Sequence, residues 1–424
     1  MPGSHVIWNK VSANIVELAK NKLLIARGFR TKSSQFDTDF NEGPPGGNTI
    51  TVKKPFRSNI REGWQWQGQN VARQSTTITA DQVFGADLNL DPDEQALYAE
   101  RNWPEFRDNV IDPISAQIAT ELDLRAARFG KLWTSMVHGA LGTNPTTSDD
   151  FAAPRSRLTE MGAMITPRRK TLAVTPAMMR AWISGTPNLL SLFYIDPVRK
   201  AFNDGYIGHY GDFDVVESMS LQNHTTGVWA TVATGVTVLT SGQSGSTINL
   251  AATTGDTLKA GDKISIASVN AVNPMTRESL GYNRQFTVLQ DITAASSAFT
   301  GVQIDPPIVG PGSAYQNVDA LPVAAAVVTL MPGTSMSNAT AKTGKFGMAF
   351  TDEAFAMVSV KVPQPKPGTF EMIGAAEDED TGVKFAMLCW YDPKTLMKCW
   401  RWDVYVGFGA LRPSESSLLI GGLR

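Results

Sequence analysis

The chain has 424 residues, 42% of them hydrophobic and 18% charged, with 38 Lys and Arg against 40 Asp and Glu for a formal net charge of −2. A chain of this length buries about three-quarters of its unfolded surface and divides into two or three units, and its lean charge suits subunits whose surface is covered by neighbours. It contains no apolar run of membrane-spanning length, no basic-then-apolar signal at Met1-Pro2-Gly3-Ser4-His5, and, with two cysteines and four scattered histidines, neither a disulfide framework nor a zinc spacing. The expected location is a cytoplasm, with Cys389 and Cys399 reduced and packed into strands. The small net charge hides a polarity: up to Arg73 there are 11 Lys and Arg against 5 Asp and Glu, and beyond it 27 against 35. A basic N-terminal section on an acidic body suggests that the section lies against something negative, a neighbour's body or nucleic acid.

In chain order, residues 11–29 carry a stripe of Ile15, Leu18, Ala19, Lys22 and Ile25 with Lys10, Lys20 and Arg27 around it, which predicts a short amphipathic helix ending at Gly28. Residues 41–48 (NEGPPGGN) are turn formers. Thr49–Lys53 and Gln74–Ile78 alternate as strands, and the basic, aromatic stretch Pro55–Arg73 between them, with Trp64 and Trp66 flanked by Gly63 and Gly68, predicts a long hairpin arm. A helical turn near Pro104–Val110 precedes the strongest helix. There Asp112 is the expected N-cap, Pro113 the first helical position, and Ile114, Ile118, Leu122, Ala126, Phe129, Trp133 and Val137 form one face over about 26 residues, roughly 40 Å. Next come a helix, a strand at Thr171–Val174, helices at Pro176–Ser184 and Asp196–Asp204, and a strand at Phe213–Val216.

Between residues 228 and 343 the helical period disappears. Leu258-Lys259-Ala260-Gly261-Asp262-Lys263-Ile264-Ser265-Ile266 is a Gly-Asp turn followed by alternate apolar residues, and the same alternation recurs at Val236/Val238, Ile248/Leu250, Phe286/Val288 and Val302/Ile304. About six strands predict an antiparallel barrel or sandwich inserted into a mixed α and β chain. After it, Phe346–Phe350 and Met357–Val362 resume the mixed domain, and Lys384–Tyr391 with Leu396–Phe408 form a hairpin.

Catalytic motifs are thin. Ser244 in Gly242–Ser246 lacks the strand-turn-helix of a nucleophile elbow, Gly344-Lys345 lacks the upstream glycine of a phosphate loop, and Gly407-Phe408-Gly409 does not complete a dinucleotide fingerprint. His138 is expected to cap a helix end. Glu377-Asp378-Glu379-Asp380 lacks the spaced ligands of a calcium loop and is expected to be a solvated acidic turn. No enzyme activity, cofactor or metal is expected.

The arm, the domain-length helix and the β-insertion together resemble the major coat (capsid) proteins of tailed double-stranded DNA phages with the Hong Kong 97 fold, in the podovirus-type branch that carries an inserted domain. The segments that carry the resemblance are Ala201–Ile207 with Gly211–Val216, Leu258–Ser265 and Gln285–Val288 inside the insertion, and Gly407–Pro413 near the end. The resemblance implies an α+β fold with an N-arm (1–47), an extended E-loop (48–80) and a peripheral domain with its spine helix (81–145). An axial domain (146–227, returning at 344–370), an inserted antiparallel β-barrel-like domain (228–343) and C-terminal strands (371–424) complete it. It further implies hexamers and pentamers closing into an icosahedral shell around double-stranded DNA, assembled on a scaffolding protein and expanded on maturation, with a portal protein and a possible decoration protein as partners. The stretch Leu239–Thr247 is short and uncharged where some relatives carry a long charged hairpin, so an ionic bridge between capsomers is not expected from it. No helical pro-segment precedes the arm, so proteolytic maturation is not expected.

Two charge placements follow. Lys53, Lys54, Arg57, Arg61 and Arg73 on the arm are expected to oppose Glu377, Asp378, Glu379 and Asp380 of a neighbour, with Trp64 or Trp66 as the anchor. Lys10, Lys20, Lys22, Arg27, Arg30 and Lys32 are expected to face the interior, where scaffold and later DNA lie, binding DNA without sequence preference. The competing readings are a β-rich tail or adhesin protein, which leaves the long helix unexplained, and a cytoplasmic hydrolase, for which no convergent polar site exists.

Overall fold

The structure, a computed structural model, describes residues 23–31, 49–54, 57, 63–66, 68, 75–92, 103–162, 170–185, 208–210, 212–229, 235–331, 340–360, 372–377, 382–392 and 394–422. The expected helix at Asp196–Asp204 and most of the one at 11–29 lie outside these residues. The chain forms two compact units, one of Met1–Lys53, Ser75–Ala126 and Phe355–Ala410, the other of Lys54–Gln74, Ala127–Ala354 and Leu411–Arg424.

The first unit is built on the strand Met397–Ala410. Ser75–Leu90 lies antiparallel along one side of it, paired from Lys398↔Leu90 to Phe408↔Thr79 with a register shift between Val406 and Gly407. Lys384–Asp392 and Phe355–Ser359 share the other side. Thr49–Lys53 is a strand as expected and pairs with Ser75–Thr79. The second arm strand, however, runs to Leu90 instead of stopping near Ile78. Gly85, Asp81, Asp87 and Asn89 are poor strand formers, so propensity hides the extension, and the fourteen-residue partner strand supplies it. Gly409 permits the approach of the two strands, because a Cβ there would overlap Ile78 Cγ1. Cys389 and Cys399 are free thiols in the Lys384–Asp392/Met397–Ala410 hairpin, as expected.

Helix α1 is Asp112–Trp133, with residues up to Ala126 in the first unit. Asp112 is not its cap. A helical turn, Trp103–Phe106, and a π turn, Arg107–Ile111, lead straight into it, and Asp112 has helical φ −59 and ψ −46 with its N–H bonded to Arg107 O. Pro113 lacks an N–H and its ring crowds the carbonyl four residues back, and widening the preceding turn relieves both problems. At 22 residues, or about 33 Å, the helix is shorter than expected. Val137 and His138 have left it to pair in parallel with Leu419 and Ile420. His138 is therefore a strand residue, with Nε2 3.6 Å from Asp150 Oδ1, and caps no helix.

Among the described residues the second unit holds two large sheets and a two-stranded one, Thr257–Leu258 with Ile292–Thr293. One large sheet runs in the order Val137–His138, Ser417–Gly422, Thr343–Thr351, Lys170–Val174, Phe213–Glu217, His209–Tyr210, with Asn223–Thr225 also on Thr343–Thr351. Helices α2 (Ser148–Glu160) and α3 (Pro176–Gly185) pack on it through Leu158, Met161, Met178, Met179 and Trp182. Thr147 and Asp150 form a capping box for α2, and Pro176 opens α3 with Thr175 Oγ1 accepting from the Met178 N–H.

The other large sheet lies within the inserted stretch, in the order Val328–Met331, Lys263–Val272, Ser279–Val288, Ala298–Ile308, Gly245–Ala251, Thr237–Val238. Its two end strands meet at the bridge Thr237↔Val327 and through Val238 N–H to Ala326 O and Val328 N–H to Val236 O, so neither edge is left unpaired. The expected alternate residues point into one core: Ile248, Leu250, Ile264, Ile266, Phe286 and Val302 are all fully buried.

Candidate functional site

Among the described residues, the buried polar side chains gather at joints between elements. No group of three or more His, Cys, Asp or Glu among them could hold a metal, and none of their helices is long and apolar enough to cross a membrane. Ser244 sits in an exposed turn, and Gly344 and Gly407 to Gly409 are strand residues.

The first joint lies under the inserted sheet. Its outward-pointing residues Lys263, Ser265, Gln285 and Thr287 form two cross-strand pairs, Lys263↔Thr287 and Ser265↔Gln285. All four are polar and all four are buried. Lys263 Nζ donates to Lys131 O, in the last turn of α1, at 2.8 Å and to Thr287 Oγ1 at 2.7 Å. Thr287 Oγ1 in turn donates to Thr134 O. Gln285 Oε1 accepts from Val137 N–H at 2.6 Å while its Nε2 donates to Val137 O at 3.2 Å, so one side-chain amide stands in for a neighbouring strand. The carbonyls that a helix end leaves unpaired are thereby satisfied from another element. Burial pushes the Lys263 ammonium well below its usual range, opposed by Asp305 and Asp262; its donor role needs only its N–H groups, not its charge.

The turn before Lys263 anchors the other flank. Gly261 has φ +96, and His224 Cε1 would lie 3.2 Å from a Cβ there. Asp262, fully buried, accepts from His224 Nε2 at 2.8 Å, Gly227 N–H at 3.0 Å and Lys259 N–H at 2.8 Å. The Gly-Asp-Lys run thus grips the chain where it enters the insertion and, one residue later, the end of α1.

A second joint fastens the end of the N-terminal segment. Asp123 on α1 is 2% exposed. Its Oδ2 accepts from Leu24 N–H at 2.8 Å, and its Oδ1 accepts from Ile25 N–H at 3.2 Å and Ala26 N–H at 2.8 Å. Ala26–Gly28 is a single 3-10 turn, and the Phe29 ring beyond it packs 5.0 Å from Phe355. Burial outweighs the three donors and pushes the Asp123 carboxyl up to about 6.

Of the arm charges, Lys53 is exposed, Lys54 is half-buried, and Arg57 is paired within its own chain: Nη2 lies 2.5 and 2.6 Å from the two oxygens of Glu415. Trp64 and Trp66 are 100% and 86% exposed. Arg27 and Arg30 are exposed on the N-terminal segment. Arg61, Arg73, Asp378, Glu379, Asp380, Lys10, Lys20, Lys22 and Lys32 lie outside the described residues, and Glu377 is described only as the last residue of the strand Met372–Glu377. Sequence reasoning missed Asp123, Lys263, Gln285 and Glu415. The signal for Lys263 and Gln285 was present as polar residues alternating with core residues, but this pattern equally describes a strand face open to water.

The geometry defines a strand-rich α and β protein whose buried polar side chains hold elements together. Among solved structures it is similar to that of Mycobacterium phage Che8, at 12% identity over 94% of this chain and 90% of that one, with a TM-score of 0.46. It is similar also to the capsid structure of the cyanophage P-SCSP1u, at 11% identity over 93% and 86%, with a TM-score of 0.41. The CUS-3 coat protein I-domain aligns over its whole length with 24% of this chain at 25% identity and a TM-score of 0.19. No curated protein sequence matches. A family model matches residues 14–421, and it is that of a phage coat protein. The chain belongs to that family, the P22 coat protein, gene protein 5. It is a capsid shell protein of the virion with a structural, non-enzymatic role.

Two outcomes follow from the joints. Gln285→Leu, although more apolar, leaves a buried N–H and C=O of Val137 without partners, and urea unfolding of the subunit should show a loss of about 2–4 kcal/mol; an unchanged midpoint would remove Gln285 from this role. Asp123 has a folded pKa above its unfolded value, so its contribution is fully present below about pH 4 and lost as pH rises through about 6. Between pH 5 and 7.5 the wild type should therefore lose about 1 kcal/mol relative to Asp123→Asn, and parallel pH profiles would show that Asp123 does not titrate this way.

Proposed function

We propose that this chain assembles into hexamers and pentamers that close into an icosahedral shell around double-stranded DNA, by way of a scaffold-dependent precursor that expands on maturation. In this reading the fold is of the Hong Kong 97 type. Residues 1–47 are the N-arm, 48–80 the E-loop, 81–145 the peripheral domain with α1 as spine, and 146–227 with 344–370 the axial domain. Residues 228–343 are the inserted domain, and 371–424 complete the peripheral and axial domains. The six-stranded sheet with its single core supports the inserted-domain assignment. A portal protein, and in some shells a decoration protein, would be further partners.

The observation that carries the assembly reading is the pair of tryptophans at the arm's tip, Trp64 and Trp66, presented to solvent at 100% and 86% exposure. An indole buries 150–250 Å² when covered and is favoured as an interface anchor. A neighbouring copy is the occupant that a shell supplies at every interface. Lys53, Arg61 and Arg73 then face the neighbour's acidic turn at 377–380, each exposed pair worth at most about 1 kcal/mol but repeated throughout the shell. Arg27 and Arg30, with Lys10, Lys20, Lys22 and Lys32, face the interior and meet scaffold and then DNA phosphates.

Negative-stain microscopy of purified protein with scaffold tests this reading: shells, capsomers or sheets are expected, and a protein that stays monodisperse and monomeric would overturn it. In the same assay Trp64→Ala with Trp66→Ala should abolish closed shells, replacing residues 377–380 by lysines should weaken assembly in a way that added salt relieves, and replacing Lys10, Lys20, Lys22, Arg27, Arg30 and Lys32 by glutamine should remove scaffold from the particles. Unchanged particles in any arm count against the contact that arm probes.

A further inference from the structure

The root of the arm is locked to its own subunit by a compact charge cluster. Arg57 places Nη2 against both oxygens of Glu415, at 2.5 and 2.6 Å, and its guanidinium carbon lies 5.9 Å from the centre of the Tyr315 ring. Both members of the pair are only about one-fifth exposed, where salt screens poorly. Three segments meet there. Lys54 and Arg57 come from the arm, Arg412 and Glu415 from the turn before the last strand, and Arg284 and Asp305 from the inserted sheet. Arg284 is 2% exposed and donates through Nη2 to Ser414 O at 3.1 Å, which fixes the turn that carries Glu415. Arg412 lies 3.7 Å from Glu353.

The charges are unbalanced. Lys54 feels Asp305 and Glu415 as favourable neighbours and Arg412 and Arg57 as unfavourable ones, and Arg284 feels Glu415 and Asp305 against Arg57. Lys54, Arg57 and Arg284 thus crowd about two carboxylates, Glu415 and Asp305, while Arg412 also has Glu353. Asp305 is the weaker of these two, because burial pushes its carboxyl up to about 6 and its Oδ2 accepts no hydrogen bond. Glu415 is the counter-ion on which the others depend. Removing its charge leaves Arg57 beside Lys54, Arg284 and Arg412 with only the face of Tyr315 to hold it. Seven residues beyond Arg57 the chain presents Trp64 at full exposure.

We propose that Arg57 and Glu415 are positioning residues that set the direction in which the arm leaves the subunit, so that its two-tryptophan tip is presented to a second copy of this chain already oriented. The inference rests on the shell reading above and gives Arg57 a different task from the other arm cations: it faces its own chain, and its effect on assembly is indirect. Orientation fixed before contact removes part of the ordering cost that a loose loop would bear at every interface.

The test uses full-length protein with Glu415→Gln, Arg57→Lys, and the exchange Arg57→Glu with Glu415→Arg. Amide hydrogen exchange over residues 54–66 of unassembled subunits reads the lock, the thermal midpoint reads the fold, and light scattering with scaffold reads assembly. Glu415→Gln should speed exchange in 54–66 and slow assembly about tenfold, the equivalent of one charge-assisted hydrogen bond, with any fall in the thermal midpoint too small to account for it. Arg57→Lys keeps the charge but loses the planar guanidinium that also faces Tyr315, and should fall between Glu415→Gln and wild type. The exchanged pair should recover both readouts. If Glu415→Gln leaves exchange and assembly unchanged, or if assembly falls only in step with the thermal midpoint, the positioning role is overturned. Wild-type shells that form normally alongside that result would spare the shell reading, whereas wild-type protein that forms no shell would remove the reading itself.

Discussion

The second unit depends on how the end of α1 is satisfied. A helix leaves its last carbonyls without intrahelical donors, and burying them unpaired costs more than most single contacts return. Here the donors come from the outer face of a sheet more than a hundred residues away in sequence: Lys263 takes Lys131 O, Thr287 takes Thr134 O and Gln285 takes both backbone groups of Val137. The same sheet serves two further backbone ends, since Asn273 donates to Glu160 O at the end of α2 and Arg284 to Ser414 O. The six-stranded sheet is therefore a structural member of this unit, built into its helix ends.

That arrangement suits a coat subunit. Side-chain hydrogen bonds to backbone carbonyls are directional, so they fix the placement of the inserted sheet against α1, α2 and the C-terminal turn more tightly than an apolar face would. The C-terminal turn held by Arg284 also carries Glu415, the counter-ion of Arg57 at the root of the arm. One sheet thus organises the backbone around it and, through that turn, the root of the arm that presents the tryptophans. In the first unit Asp123 does comparable work on a smaller scale, holding three consecutive N–H groups of the N-terminal segment.

Much of this was readable from local pattern. The Thr49–Lys53, Lys170–Val174 and Phe213–Glu217 strands, helix α3, the inserted β-segment and the Lys384–Asp392/Met397–Ala410 hairpin all follow from period-two or helical alternation and turn chemistry. The errors share one cause. The Ser75–Leu90 strand outran its propensity because a long partner held it, and Asp112 gave up its cap because a π turn absorbed Pro113. His138 became a strand residue because Leu419 and Ile420 lie beside it.

By itself the sequence determined which residues face a core and which do not, because alternation and helical stripes are local properties of the chain. It also determined the basic and aromatic character of the arm. Only the tertiary structure decided what the polar residues do. Lys263, Gln285 and Thr287 read as a wet strand face until the end of α1 covers them, Asp123 reads as an ordinary helix carboxylate until Leu24 to Ala26 fold over it, and Arg57 reads as a free arm charge until Glu415 takes it. Each of these assignments depends on a partner that is distant in sequence, and burial changes the worth of a polar group more than its identity does.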